Sequence, residues 1–399
     1  MDLTRSRYLP SILGFFLVAN TFLVPTLATS PRATDVLGLG LAVWLVMRAH
    51  RRGVPKGPLA VLGLAIVMPV VWLGWGLLEG QPSTLSQAAR WLLAVPWAVA
   101  LLLINGDQTA RVRFVWGLVV GSGVGVLVVL MQNMGLNGPL QRLGLSASDA
   151  AFHHYVYHQV RIPGMHGHPN SSSAVISLIA PAVMYLYLRS RAQFWLPIVG
   201  LLAMLASMHL TSSRSPLVVT APVVMLALVA ARNPRRALPL FVSLGLGFVV
   251  FLAVFGLPGG AARWADMLAI QANVHERLST NLTALEIMVH NPLGLGVVGG
   301  KDAMLEIGAI SATHNAFLQA GVFFGTPLAL MLLVAVSVHG WRMLVDPRHG
   351  NLWPGLVALQ VAGLFMFEEH LNNPSFVILA CWLMAAAVWR RPIGRTAEE

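Results

Sequence analysis

Long apolar runs, repeated from one end of this 399-residue chain to the other, constrain its fold more than any other feature. A membrane-spanning helix needs about 20 apolar residues, because the hydrocarbon layer is about 30 Å thick and each helical residue rises about 1.5 Å. Runs of that kind lie near 9–29, 34–48, 57–78, 87–105, 113–134, 171–188, 194–210, 216–231, 238–257, 315–337, 352–369 and 375–390. They are continuous and not alternating, which excludes a transmembrane barrel. Only 10% of residues are charged against 56% hydrophobic, too few to cover a soluble surface of this size. The expectation is an all-α polytopic membrane protein of about twelve transmembrane helices, residues 1–399 forming a single transmembrane domain. The first run, preceded by Arg5 and Arg7, resembles a signal sequence but is too long for one, and reads as a retained first helix. The lone cysteine, Cys381, lies in an apolar run and reads as packing.

Basic residues outnumber acidic ones 26 to 15, and all but two of the 26 are arginine. In a soluble protein that balance would point to nucleic acid. Here the cations sit in short links between apolar runs, so topology explains them and no nucleic-acid partner is expected. With twelve spans the links alternate sides. One set holds 18 of the 26 cations, among them Arg48, Arg51, Arg52, Lys56, Arg111, Arg113, Arg235, Arg236 and Arg342; the other holds Arg32, Arg90, Arg142, Arg161, Arg214, Arg263, Arg277 and Lys301. The positive-inside rule then makes the richer side, with both termini, cytoplasmic.

The opposite face carries the two long connections, 135–170 and 258–314, and long connections within a compact fold are usually functional. Leu278, Leu282, Leu285 and Val289 recur at helical spacing between His275 and His290, with Arg277, Asn281 and Ala284 on the other side. That pattern predicts an amphipathic helix lying over the membrane core. Arg161 and His168-Pro169-Asn170 stand before the sixth run. Ser213 and Arg214 occupy the link between the seventh and eighth, His314-Asn315 opens the tenth, and Glu368, Glu369 and His370 end the eleventh. A cation at membrane depth is costly unless partnered, and topology brings all of these to one face.

Two patterns are set aside. His153, His154, His158, His166 and His168 crowd one loop, but no cysteine or carboxylate pattern completes a site, so no metal is expected. Gly294-x-Gly296-x-x-Gly299 follows no strand and supplies turns instead of a dinucleotide cradle. Several arginines facing one apolar-bounded site suit concentrated negative charge, since the guanidinium fork matches phosphate oxygens. A histidine among them is kept neutral and fit to act as a base. From the residues alone the chain reads as a transferase or a transporter acting on a lipid diphosphate at the outer face.

The ordered segments Arg161…Gly164…His168-Pro169-Asn170, Ser212-Ser213-Arg214, Glu276-Arg277-Leu278, His290-Asn291-Pro292-Leu293-Gly294-Leu295-Gly296 and His314-Asn315…Leu318-Gln319 resemble the bacterial O-antigen ligase and polymerase superfamily. The resemblance covers about 160–330 by motif and the whole chain by topology. It implies a fold like that of the membrane-embedded GT-C glycosyltransferases, and a bacterial inner-membrane location with a periplasmic active site formed by 135–170 and 258–314. It also implies transfer of an O-antigen glycan from undecaprenyl diphosphate to a sugar of the lipid A core, inverting, with neither metal nor other cofactor. In that reading His314 is the general base, and Arg214 and Arg277 stabilise the leaving diphosphate. Arg161, His168, Asn170, Ser213, Asn315 and Glu368 contact substrate. Leu328 departs from the residues frequent at that position in ligases. A polymerase extending a lipid-linked repeat and a flippase without chemistry are the alternatives.

Overall fold

The computed structural model describes residues 3–4, 6–21, 32–52, 56–81, 83–146, 152–154, 159–189, 193–230, 234–257, 265–306, 313–347, 350–368 and 370–389. In chain order its helices are α1 (Leu9–Val18), α2 (Ala33–Arg52), α3 (Lys56–Leu78), α4 (Ser83–Asn105), α5 (Gln108–Asn133) and α6 (Asn137–Arg142). After a small antiparallel hairpin, β1 (Phe152–His154) paired with β2 (Gln159–Arg161), come α7 (Pro169–Ile176), α8 (Ile179–Arg189), α9 (Trp195–Thr211), α10 (Ser215–Ala230) and α11 (Pro234–Phe255). The last six are α12 (Met267–His290), α13 (Gly296–Glu306), α14 (Ala316–Phe324), α15 (Thr326–Val345), α16 (Leu352–Phe365) and α17 (Pro374–Val388).

Six segments among the described residues are long and apolar enough to cross a membrane: Lys56–Leu78, Gln87–Asn105, Gln108–Asn133, Pro169–Arg189, Ala237–Phe255 and Thr326–Val345. α1, α9, α10, α16 and α17 are shorter apolar helices packed among them. α2 is not one of the six; Asp35 at its start and Arg48, Arg51 and Arg52 at its end cut its apolar stretch short. The outward face is as apolar as the core. On α11, Leu246, Val249 and Val254 are each more than 60% exposed, a surface suited to lipid and not to water. The fold is that of a polytopic helical membrane protein.

Close helix contact comes from small residues. α1 lies so near α5 that a Cβ on Gly117 would stand 2.0 Å from the Ser11 carbonyl oxygen, and one on Gly14 as near the Phe114 carbonyl. Gly117 and Gly121 are spaced as in the small-xxx-small pattern, which lets membrane helices approach until their backbones touch. The sixth run is interrupted between α7 and α8, where Pro181 has no N–H for the Ser177 carbonyl and that carbonyl accepts instead from Ala180 N at 3.0 Å. The interruption is tied in place: Gln360 of α16 donates through Nε2 to Oγ of Ser177, in the break, at 2.8 Å and to Oγ1 of Thr220, in α10, at 3.0 Å.

The tenth run corrects the expectation. It is not one helix starting at His314-Asn315 but two, α14 and α15, divided at Gly325. Gly325 sits at φ 103°, a region closed to side-chain-bearing residues, and Pro327 opens α15. The preceding turn is stapled there, with Leu295 N donating to the Val322 carbonyl and Thr326 N to the Pro292 carbonyl (both 2.9 Å). Gly294 and Gly296 take positive φ in that turn, the role the sequence reading gave them. The amphipathic helix also starts earlier than expected, at Met267, so Arg277 lies well inside α12. Its stripe of Leu278, Leu282, Leu285 and Val289 faces outward, while Thr280, Ala284 and Ile287 pack inward.

A polar network at one end of the bundle

Arg161 ends β2 and reaches the C-terminus of α9. Its Nε donates to the Thr211 carbonyl at 3.0 Å, and the next residue, Ile162, donates its N–H to the Leu210 carbonyl. The last carbonyls of a helix lack intrahelical partners and carry its negative dipole end, so a guanidinium is well placed there. The same guanidinium donates through Nη2 to Asn170 Oδ1, in the first turn of α7. Asn170 Nδ2 donates in turn to Glu368 Oε1 at 2.9 Å. Arg277 of α12 lies 3.8 Å from that carboxylate oxygen and donates through Nη1 to the Phe367 carbonyl at 2.8 Å. Four expected site residues, spread over two hundred positions of sequence, thus form one continuous chain of polar contacts.

Burial and charge set the protonation of the groups around it. Burial raises the Glu368 carboxyl above its ordinary range, opposed by Arg277, by the Asn170 hydrogen bond and by Arg161. Burial lowers the His314 imidazole, and Arg277 lowers it further, while Glu276 acts the other way. His168 is lowered by burial and then by Arg161. Both imidazoles are therefore mainly neutral at pH 7, in the field of guanidinium groups suited to negative charge. Such a site can withdraw a proton from a hydroxyl and stabilise an anionic leaving group nearby.

The remaining expected residues fall into place unevenly. Arg214 lies in the tight turn between α9 and α10, where Ser212 adopts a left-handed conformation (φ 52°), and the Thr211 carbonyl held by Arg161 belongs to that same turn. Ser213 is buried there, its hydroxyl without a hydrogen-bond partner among the described residues. Asn315 has a structural role. Its Oδ1 accepts from Phe317 N (2.9 Å) and Leu318 N (3.2 Å), so the side chain caps α14 and that oxygen is committed to the backbone. His158 and Glu369 lie outside the described residues. Among the described residues no three potential metal ligands gather.

Several contributors were given no site role from sequence. His370 follows Glu368 in a 3-10 turn, stacks on Phe376 with ring centroids 4.7 Å apart, and has no hydrogen-bond partner on either nitrogen among the described residues; burial pushes its pKa down to about 3. His166 is likewise lowered to about 3 by burial and then by Arg32, and contacts the Val18 carbonyl and Asn373. Gln132 Oε1 accepts from Gly164 N at 2.8 Å and fixes the segment behind Arg161. An amide inside an apolar run is the feature that marks Gln132 in the sequence. The Thr211 and Phe367 carbonyls carry no such mark, being backbone. No family model matches the chain, and no curated protein matches it.

Proposed function

We propose that the chain is an O-antigen ligase of the inner membrane, with about twelve spans, a GT-C-like fold and its site open to the periplasm. The observation that carries this reading is the joined network of Arg161, Asn170, Glu368 and Arg277, with the neutral His314 beside Arg277. In this reading the donor is undecaprenyl diphosphate bearing the O-antigen glycan, and the acceptor is a sugar hydroxyl of the lipid A core. His314 takes the hydroxyl proton as the oxygen bonds to the anomeric carbon. The bond from that carbon to the diphosphate oxygen breaks, and the electron pair leaves with undecaprenyl diphosphate. Arg214 and Arg277 neutralise the charge that develops, and attack opposite the leaving group inverts the centre. General-base help is worth about 10²–10⁴-fold and one charge-stabilising donor about 10²–10³-fold. The donor arrives activated, so no nucleotide is required.

Reconstitution with purified lipid-linked O-antigen and lipid A core tests the reading, with products separated on a gel. A ladder on lipid A core is the expected result. Longer lipid-linked chains would make the protein a polymerase, and unchanged covalent species would make it a transporter. His314→Ala is expected to abolish turnover yet leave binding of an undecaprenyl diphosphate analogue nearly intact. Arg277→Ala and Arg214→Ala weaken both, and lysine at either position rescues only in part because it lacks the fork.

A further inference from the structure

A cavity of about 510 Å³ opens at the end of the bundle away from the Arg161–Glu368 network. α5, α15, α16 and α17 all reach it, and by the ends that point away from that network. α16, for example, begins beside the cavity at Asn351 and Pro354 and ends at Phe365, just before Glu368.

Arg111, in the first turn of α5, lines the cavity and is only 9% exposed. Its Nε donates to Tyr185 Oη (2.8 Å) and its Nη1 to the Asn105 carbonyl (3.0 Å) and Oδ1 (3.3 Å), and its guanidinium carbon lies 5.7 Å from the Tyr185 ring centroid. Every one of these partners is neutral, and Nη2 takes part in none of the bonds. A buried cation normally has a counter-charge, because neutral acceptors recover only part of the hydration it loses. Arg342 lines the same cavity and donates through Nη2 to the Ala387 carbonyl at 2.8 Å. Among the described lining residues Asp346 is the one carboxylate, against two arginines. Asn351 starts α16 without a side-chain cap bond, which leaves the positive end of that helix dipole turned to the cavity. Trp389 stands at the rim, the residue type favoured where protein meets lipid headgroups.

We propose that this cavity binds the phosphate of an anionic ligand, which the adjoining leaflet supplies as a phospholipid headgroup. Arg111, Arg342 and the α16 N-terminus would hold the phosphate oxygens, and the apolar part of the lining would face the acyl-bearing side of the lipid. The bound headgroup would tie together the α4–α5, α15–α16 and α17 ends of the bundle. Nothing in this inference depends on glycosyl transfer, so the two readings fail separately.

The test uses the full chain in phosphatidylcholine nanodiscs, with and without phosphatidylglycerol, and in phosphatidylcholine discs titrated with inorganic phosphate. Mass spectrometry of the delipidated wild type reads the retained headgroup class, and thermal unfolding reads stabilisation. Retention of phosphatidylglycerol over phosphatidylcholine, with apparent affinity about tenfold or more weaker in Arg111→Gln and Arg342→Gln, is the expected result. Stabilisation by inorganic phosphate alone, lost in the same variants, would support the anion site with a soluble source. Equal retention of the two lipids by the wild type with no effect of phosphate, or undiminished preference in the variants, overturns the proposal. Should Arg111→Gln fail to fold, Arg342→Gln and the wild-type measurements decide it.

Discussion

Glu368 holds two sequence-distant groups at once, and its replacement distinguishes what kind of contact does the holding. In Glu368→Ala, Asn170 Nδ2 loses its 2.9 Å acceptor and Arg277 loses a carboxylate 3.8 Å away. Leaving a part-buried amide donor unsatisfied costs about 1–3 kcal/mol. The ion pair contributes less, about 0–1 kcal/mol, because it is long and the Arg277 side chain retains 28% exposure to solvent. The alanine variant should therefore lose about 1–4 kcal/mol of stability. Glu368→Gln keeps an oxygen for Asn170 and gives up only the ion pair. It also removes a carboxylate that burial disfavours. Its loss should stay within about 1 kcal/mol. The assay is thermal unfolding in detergent micelles, followed by size exclusion, with at most about 2–4 °C expected per kcal/mol in a chain of this size. Equal destabilisation by both variants would refute the argument, since charge and not the acceptor oxygen would then hold the network. A neutral alanine variant would refute the network itself.

If the proposed transfer uses His314 as its base, the acid limb of its pH–rate profile should lie below pH 6.5, because burial and Arg277 lower the His314 pKa; an acid limb above that value contradicts the proposed role. Stability should fall as pH drops from about 6.5 toward 3, since His370 and His166 bind protons in the unfolded chain long before the folded one, each at up to about 1.4 kcal/mol per pH unit. His370→Phe should flatten that dependence in thermal unfolding at pH 7.5 and pH 5, and an unchanged slope counts against it. Gly117→Leu should cost about 1–3 kcal/mol or abolish folding by prising α1 from α5, whereas Gly123→Leu, with nothing within 4 Å of its added Cβ, should be tolerated; equal unfolding temperatures would mean the close approach is not required. Reporter fusions after residues 52, 112, 190, 234 and 346 should read cytoplasmic and those near 150, 270 and 300 periplasmic, and a periplasmic signal at 234 inverts the topology.

Hydropathy and helix punctuation are local properties, so the sequence by itself determined where most of the apolar helices lie, that the chain belongs in a membrane, and that Gly294 and Gly296 serve a turn, although Gly299 lies inside α13. It also picked out Arg161, Asn170, Arg277 and Glu368, because a charged or amide side chain at the end of an apolar run is costly unless something compensates it. Which group compensates which was not legible. Pairing Asn170 with Glu368, or Arg277 with the Phe367 carbonyl, depends on how α7, α12 and the turn after α16 pack, and half of those partners are backbone atoms with no sequence identity. The division of the tenth run at Gly325 was decided in the same way, since its positive φ is set by the staple to Pro292 and Leu295 and not by neighbouring residues. Tertiary structure likewise shows Asn315 Oδ1 capping a helix, a contact the sequence reading did not include. Arg111 reads in sequence as one more cation in a basic link. Only the packing of α5 against Tyr185 and the ends of α15 and α16 buries it beside a cavity, because burial is a property of the whole assembly and not of the segment that carries the residue.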